Sequence, residues 1–131
     1  MTSLGTPRYV DGVRAWIVKI PEVAMERAQA LLPADVQRGA ADGLLALSDV
    51  CPADKIQLKY CRSSGWFECP GCGSRFDGLG HKTGGPAPRG LTFHPVQVDG
   101  GDVVVSPRPL IDGLPIDRRI VEHRAQGTHC A

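Results

Sequence analysis

The chain has 131 residues, of which 42% are apolar, a size that favours one compact domain over two. Fifteen basic residues stand against fourteen acidic ones, so charge gives no reason to expect a nucleic acid or an anionic membrane as partner. No apolar run reaches the roughly 20 residues that a membrane-spanning helix requires, and the N-terminus lacks the layout of a secretory signal. We therefore expect a soluble, cytoplasmic protein without a membrane span.

The composition favours a fold of short strands and loops. Sixteen glycines and eleven prolines, with only 5% aromatic residues, indicate many turns between short elements. Residues 1–14 are polar and are expected to be loose at the terminus. Residues 15–20 form the first strand-like run, which Pro21 ends. Residues 22–32 are rich in good helix formers, so we expect one short helix that stops at Pro33.

Three further strands are predicted around the central cysteines. The apolar run 43–48 is typical of a buried strand that leads to Cys51. Apolar and polar residues alternate over 56–61, which is the pattern of a half-buried strand, and after a turn its partner strand returns at 66–68. This hairpin delivers the chain to Cys69.

The last part of the chain predicts a loop, a hairpin and an arm. Residues 79–89 are turn-rich and contain no predicted regular element, so this segment is expected to wrap around something. Residues 91–98 and 102–106 form two strands joined by a glycine-containing turn, and Pro95 implies an edge position or a bulge. The tail from 107 to 131 is expected to lie on the surface or on a partner.

The spacing of the cysteines indicates a metal site. Cys69 and Cys72 are separated by two residues in a turn that contains proline and glycine, and such turns point backbone N–H groups at the sulfurs and stabilise thiolates. Cys51 and Cys61 lie upstream. Four of the five cysteines thus fall in one short stretch, which favours metal ligands over a disulfide framework, and Cys130 is interpreted as a tail residue.

The order of these motifs resembles that of the Rieske 2Fe-2S domain. The likeness covers about residues 16–106 and is carried by Cys51, the second cysteine loop at 69–77, the proline loop at 84–91 and the final hairpin. It implies a mainly β fold, a Rieske-like antiparallel β sandwich in which two cysteine loops clasp a cluster and a proline-rich loop covers it. Members of the family pass single electrons as respiratory subunits, as small ferredoxins or as modules of oxygenases.

The resemblance also implies ligands that this sequence has changed. The family holds one iron with two cysteines and the other with two histidines, one histidine coming from each loop. Here Ala53 stands at the first histidine position and Cys72 at the second. Quinol-oxidising members also join the two loops by a disulfide, and Ile56 and Gly71 occupy those positions.

Three kinds of site are compatible with these substitutions. A 2Fe-2S cluster can be held by Cys51, Cys69 and Cys72, with Cys61 or an outside group as the fourth ligand, and its additional thiolates would lower its reduction potential. A single zinc or iron ion can be held by the same four cysteines, with Cys51 and Cys61 as the second pair. In the third kind the metal is lost, as Ala53 suggests, and the protein persists as a scaffold.

The remaining polar residues provide weaker candidates. His81 lies between the second cysteine loop and the proline loop and is interpreted as a solvated loop residue, with a replacement ligand as the alternative. His94, His123 and His129 are interpreted as packed, surface or tail residues. No nucleophile with a spaced base, phosphate loop or matched carboxylate pair emerges. The length also excludes the separate catalytic domain of the oxygenase members, so we do not expect an enzyme.

We therefore predict a Rieske-like domain over residues 15–106, with an N-terminal segment at 1–14 and a C-terminal arm at 107–131. The predicted function is single-electron transfer by an iron-sulfur protein, either as a soluble carrier with a redox protein partner or as the redox subunit of a larger oxidoreductase complex. The alternative is a degenerate Rieske-fold structural or interaction subunit. It would be metal-free or hold one zinc or iron ion through its cysteines, and its arm would dock on a partner.

Overall fold

Short antiparallel strands make up most of the regular structure in the computed structural model, which describes residues 6–130. The strands are β1 Arg8–Val10, β2 Ala15–Lys19, β3 Leu44–Ser48, β4 Lys59–Cys61, β5 Trp66–Glu68, β6 Arg75–Phe76, β7 Lys82–Gly84, β8 Phe93–His94, β9 Val96–Asp99 and β10 Asp102–Val105. They form two four-stranded sheets, in the orders β1-β2-β3-β8 and β4-β5-β6-β7, and one two-stranded ribbon, β9-β10. The helices are α1 Met25–Leu31 and α2 Ala34–Ala41, with single 3-10 turns at Asp11–Val13 and Glu22–Ala24.

The first sheet begins in a segment that the sequence predicts to be loose. Strand β1 pairs with β2, so that Tyr9 lies opposite Trp16. Of the terminus predicted to be loose, residues 1–5 lie outside the described residues. Strand β2 then pairs with β3, where Trp16 lies opposite Leu47. The strands predicted at 15–20 and 43–48 are thereby confirmed.

Two short helices connect β2 to β3, where the sequence predicts one. The predicted helix at 22–32 is present as a 3-10 turn followed by α1, but Pro33 does not end the helical region. It occupies the N-cap position of α2, where the missing N–H of proline is harmless because the first N–H groups of a helix have no partner within it. No helix among the described residues is long and apolar enough to span a membrane.

The second sheet carries the central hairpin predicted from the sequence. Strand β4 is shorter than predicted, and Cys61 pairs with Trp66 across the hairpin. Strand β6 extends the sheet through Phe67 and Phe76, which are both fully buried. Strand β7 lies within the segment 79–89, which the sequence predicts to be irregular, and its pairing with β6 is interrupted by a shift in register.

Proline divides the last predicted hairpin between two sheets. Strand β8, before Pro95, pairs with β3 in the first sheet, whereas β9, after it, pairs with β10 in the ribbon. The predicted hairpin is confirmed, and Pro95 marks the change of partner because proline lacks the N–H that a continuous strand would need.

Aromatic side chains join the two sheets in one core. The ring centroids of Trp16 and Phe67 lie 4.8 Å apart, and those of Tyr60 and Phe67 lie 5.4 Å apart. Phe67 is fully buried, and tilted aromatic pairs of this kind add to the free energy gained by burial. The contact between Trp16 of the first sheet and Phe67 of the second therefore joins the two sheets.

The C-terminal arm packs on the chain itself. The Phe93 N–H donates to the Ile111 carbonyl at 2.7 Å, and the Gly90 N–H donates to the Leu114 carbonyl at 3.0 Å. Further along, the side chain of Ile120 is 2% exposed. The arm was expected on the surface or on a partner, and these contacts place it on the surface of the chain's own domain.

Candidate metal centre

The first cysteine loop, between β3 and β4, is closed at its base by Asp49. The carboxylate of Asp49 is buried and accepts a hydrogen bond from the Gln57 amide at 3.0 Å. The Leu58 N–H donates to the Asp49 carbonyl at 2.6 Å, and the Cys51 N–H donates to the Ile56 carbonyl at 3.0 Å. These bonds hold Cys51 in a fixed position at the end of the first sheet.

The second cysteine loop, between β5 and β6, is a tight turn. The Cys69 N–H donates to the Ser74 carbonyl at 2.8 Å, and the Gly73 N–H donates to the Cys69 carbonyl at 3.0 Å. Gly73 has a φ of +76°, a conformation that glycine adopts without the steric cost of a side chain. The turn brings Cys72 back beside Cys69, as the sequence predicts.

Three cysteines and one aspartate converge where the two loops meet. The donor atoms of Cys51, Asp54, Cys69 and Cys72 all lie within 4.8 Å of one another. The sulfurs of Cys51 and Cys72 are 3.7 Å apart, and the Cys69 sulfur lies 3.4 Å from Oδ1 of Asp54. Cys51 and Cys69 are buried, whereas Cys72 and Asp54 are half-buried. The centre is therefore enclosed on the protein side and open towards solvent on the other.

The separations fit a single tetrahedral ion. Zinc–sulfur bonds of about 2.3 Å and zinc–oxygen bonds of about 2.0 Å place two sulfurs about 3.8 Å apart and a sulfur and an oxygen about 3.5 Å apart. The distances of 3.7 Å between the sulfurs of Cys51 and Cys72 and of 3.4 Å between the Cys69 sulfur and Oδ1 of Asp54 are close to these values, and the other donor separations are at most 4.8 Å. The chemistry of the donor set also fits, because three thiolates and one carboxylate suit zinc or iron.

Burial and hydrogen bonding give the three thiols different acidities. Burial raises the pKa of Cys51 to about 12 and also raises the pKa of Cys69. Burial acts to raise the pKa of Cys72 too, but hydrogen bonds from the Ser74 hydroxyl and N–H outweigh it, and the pKa of Cys72 is lowered. Cys72 is therefore the thiol that ionises most readily, and a bound cation would favour ionisation of the other two.

Asp54 was not among the ligands predicted from the sequence. Its carboxylate accepts a hydrogen bond from the Ile56 N–H at 3.0 Å, and this bond is the main reason that the pKa of Asp54 is lowered. A signal was present in the spacing, because Cys51 and Asp54 are separated by two residues, as are Cys69 and Cys72. The carboxylate takes the fourth place in the donor group.

The proline loop is fixed against the second cysteine loop. The Ala87 N–H donates to the Ser74 hydroxyl at 3.1 Å, and the same hydroxyl lies 3.2 Å from the sulfur of Cys72. Gly85 has a φ of +83°, and a Cβ there would collide with the backbone of Ser74. The segment 79–89, which the sequence predicts to wrap around something, thus lies against the candidate centre.

Ile56 and Gly71, the positions to which the resemblance assigns the disulfide of quinol-oxidising Rieske proteins, lie against each other. A Cβ built on Gly71 would collide with the side chain of Ile56, and the Ile56 side chain is 45% exposed. The Ile56 side chain therefore packs against the backbone of Gly71 between the two loops.

Cys61 is not part of the donor group, which corrects its prediction as the fourth ligand. It forms a disulfide with Cys130, 69 positions further along the chain. A disulfide sulfur has no thiolate to offer a metal, and Cys61 lies at the far end of the β4–β5 hairpin from the loops. Cys130, interpreted as a tail residue, is the partner that the sequence analysis did not identify.

The histidines also lie outside the donor group among the described residues. Nε2 of His81 accepts a hydrogen bond from the Ile120 N–H at 3.0 Å, and Nδ1 of His123 accepts one from the Gly78 N–H at 3.0 Å. Both imidazoles are buried and hold the arm, so the interpretation of His81 as a solvated residue is wrong.

The remaining two histidines also contact other parts of the fold. Nδ1 of His94 lies 3.1 Å from the Ser106 carbonyl, and His129 lies against Glu68.

Two antiparallel sheets, paired cysteine loops at one end and a proline loop over them define a Rieske-like fold. No family model and no curated protein matches the sequence. Among solved structures, the cyanobacterial plasma membrane Rieske protein PetC3 from Synechocystis PCC 6803 is similar, with 21% identity and a TM-score of 0.50 over 76% of this chain and 83% of that chain. At this identity the likeness shows the fold alone, and it supports the architecture implied by the sequence resemblance.

Proposed function

We propose that this protein transfers single electrons through one iron ion held by Cys51, Cys69, Cys72 and Asp54. The observation that carries the proposal is the convergence of these four donors within 4.8 Å, on a fold shared with a Rieske protein. Iron bound by thiolates supplies a one-electron couple between its ferric and ferrous forms. The residues supply the ligand set, its burial and its hydrogen bonds.

The donor spacing favours one ion over the 2Fe-2S cluster predicted from the sequence. A two-iron cluster needs two separate pairs of ligands, because each iron binds its own pair and the bridging sulfides occupy the space between them. Here all four donor atoms lie within 4.8 Å of one another. The sulfurs of Cys51 and Cys72, whose positions the resemblance assigns to different irons, are only 3.7 Å apart. Cys61, the predicted fourth ligand, cannot complete a second pair of ligands for another iron, because it is in the disulfide.

The position of the centre suits exchange of electrons with another protein. Cys72 and Asp54 are half-buried, and Ile56 and Pro70 beside them are exposed. An apolar rim around a partly exposed centre lets a redox protein or the subunit of a larger oxidoreductase complex approach the ligands closely. We propose such a partner, and we expect no catalytic reaction by this chain alone.

A structural zinc site is the second candidate. Four protein donors complete a tetrahedron and leave no open position, which is the arrangement of structural zinc sites. In that case the ion would join the two cysteine loops and the protein would serve as a structural or interaction subunit. The donor set itself does not discriminate, since thiolates bind both metals.

Metal analysis of anaerobically purified protein tests these proposals. We expect one iron per chain, no acid-labile sulfide, and a high-spin ferric signal in the electron paramagnetic resonance spectrum of the oxidised protein that dithionite removes. Two irons with two sulfides, and a signal that appears only on reduction, would replace the single ion by a cluster. One zinc would favour the structural site, and absence of all metals would overturn both candidates.

A further inference from the structure

We propose that reduction of the Cys61–Cys130 disulfide creates a second metal site, in which the two thiolates bind a divalent cation of the zinc class together with Glu68 and His129. The disulfide joins the β4–β5 hairpin to the end of the arm. This site is separate from the proposed electron-transfer centre and shares no residue with it.

Three of the four donor groups already lie together in the oxidised protein, and His129 lies beside one of them. The sulfurs of Cys61 and Cys130 and a carboxylate oxygen of Glu68 all lie within 4.8 Å of one another. Nδ1 of His129 lies 2.8 Å from Oε2 of Glu68. Two sulfurs, one nitrogen and one oxygen form a ligand set that zinc accepts in tetrahedral sites.

The carboxylate of Glu68 is held in place by hydrogen bonds that a ligand can retain. Its side chain is 1% exposed. The Ser64 hydroxyl donates to Oε2 at 2.8 Å, and the Cys130 N–H donates to Oε1 at 2.7 Å. Bonds of this kind orient the carboxylates that bind metals in proteins and raise the affinity of the site.

The two metal sites lie on different sides of the second sheet. Glu68 directly precedes Cys69 in the chain, and successive side chains of a strand point to opposite faces. The arm covers the face that carries Glu68, where the Trp66 indole donates to the carbonyl of His123 at 3.0 Å. A cation bound there would therefore contact the arm and not the two cysteine loops.

Disulfide and metal exclude each other at this position. A dithiol reductant breaks the bond between the two sulfurs by exchange, so that Cys61 and Cys130 each gain a proton and the reductant becomes a disulfide. Binding of the cation then releases both protons, because the thiolate is the ligand. In the oxidised protein neither sulfur carries the negative charge that the cation requires.

Other bonds keep the donors close together after reduction. The Ser63 hydroxyl donates to the Thr128 carbonyl at 2.6 Å, and the Gln126 N–H donates to the Ser64 carbonyl at 2.8 Å. Both bonds join the end of the arm to the β4–β5 hairpin without using the cysteines. They keep the effective concentration of Cys130 near Cys61 high, which favours binding of one cation by both.

Zinc content of the full chain in three states tests the proposal. The samples are oxidised wild type, wild type reduced with dithiothreitol, and reduced Cys61→Ser/Cys130→Ser, each loaded with zinc and dialysed anaerobically. We expect one additional zinc per chain in the reduced wild type alone. Equal zinc in the reduced wild type and the double variant overturns the proposal. A failure of the proposed electron-transfer centre is distinguishable, because it lowers the metal content of all three samples alike.

Cobalt binding and a histidine variant test the ligand set. Cobalt should give the reduced wild type an additional thiolate-to-metal absorption that the double variant lacks. His129→Ala should weaken binding of the additional ion by at least about tenfold, while Arg124→Ala, a change at an exposed residue of the arm, should leave it unchanged. Equal affinity in His129→Ala and Arg124→Ala would exclude His129 as a ligand.

Discussion

Asp54 completes a donor group that otherwise consists of three thiols. The two residues before it, Pro52 and Ala53, have no ligand atoms in their side chains. Ala53 stands at the position that the resemblance to the Rieske domain assigns to a histidine. A carboxylate one residue further on takes the place that the resemblance assigns to an imidazole. Replacing imidazole by carboxylate makes the centre more negative, which stabilises the oxidised form of a bound metal.

Asp54→Asn tests whether the carboxylate is a ligand. The amide keeps the size of the side chain and can still accept the hydrogen bond from the Ile56 N–H, but it lacks the negative charge. We expect zinc or cobalt affinity to fall by at least about tenfold in competition with a chelator. Asp35→Asn, at an exposed aspartate of α2, is the matched control. An affinity that changes equally in both variants would exclude Asp54 from the ligand set.

Asp77 gives the stability of the domain an unusual pH dependence. Burial raises its pKa to about 7, although N–H groups of His81 and Leu79 and the charge of Arg119 act to lower it. Because the folded state holds this proton more tightly than the unfolded state, stability is greatest below the unfolded pKa of 3.8 and falls as pH rises towards 7.

Asp77→Asn removes this contribution. His81 has the opposite effect on how stability depends on pH. Burial lowers its pKa to about 4, so the contribution of His81 to stability is lost as pH falls from 6.5 towards 4. The quantity to compare is the unfolding free energy of wild type minus that of Asp77→Asn. We expect this difference to decrease by at most about 4 kcal/mol between pH 4 and pH 8. Urea unfolding at several pH values measures the difference, and parallel pH profiles of the two proteins would contradict it.

At the scale of elements, the proline loop supports the second cysteine loop through close backbone packing. Gly85→Ala should lower the unfolding free energy by about 1–3 kcal/mol, because its φ of +83° strains a side chain and its Cβ would collide with Ser74. We expect metal affinity to fall as well, since Ser74 also contacts Cys72. Thermal unfolding and chelator competition measure the two effects.

The adjacent glycine provides the control. A Cβ on Gly84 would meet no atom within 4 Å, so Gly84→Ala should leave both stability and metal affinity nearly unchanged. If the two variants behave alike, the close approach at Gly85 does not hold the loop.

Elements with a strong local pattern were predicted and those that depend on packing were not. The apolar run of β3 and the turn at the β4–β5 hairpin are local signals, and both elements are present. Helix α2 was missed because Pro33 was interpreted as the end of a helix, while the same residue also suits the start of the next. Strand β7 is three residues long and is defined by its pairing with β6, which a local pattern does not reveal.

At the scale of the whole molecule, the arm and its disulfide close the fold. The bond between Cys61 and Cys130 restricts the unfolded chain over a separation of 69 residues. We expect Cys61→Ser/Cys130→Ser to lower the unfolding free energy of the metal-free protein by roughly 4 kcal/mol at most in the chain-entropy view. Urea unfolding of oxidised wild type and the variant measures it, and equal midpoints would show that the arm is held by its other contacts alone.

The sequence by itself determined the sheet content, the order of the two cysteine loops and the proline loop, and the grouping of Cys51, Cys69 and Cys72. The sheet content and the turns follow from the periodicity of side chains and from turn residues, which are local properties. The order of the loops and the grouping of Cys51 with Cys69 and Cys72 are what the resemblance to the Rieske domain implies. Only the tertiary structure decided that Asp54 joins the three thiols and that Cys61 pairs with Cys130. Both depend on how loops far apart in sequence are brought together, and the apolar packing of Trp16, Phe67 and Ile120 governs that approach.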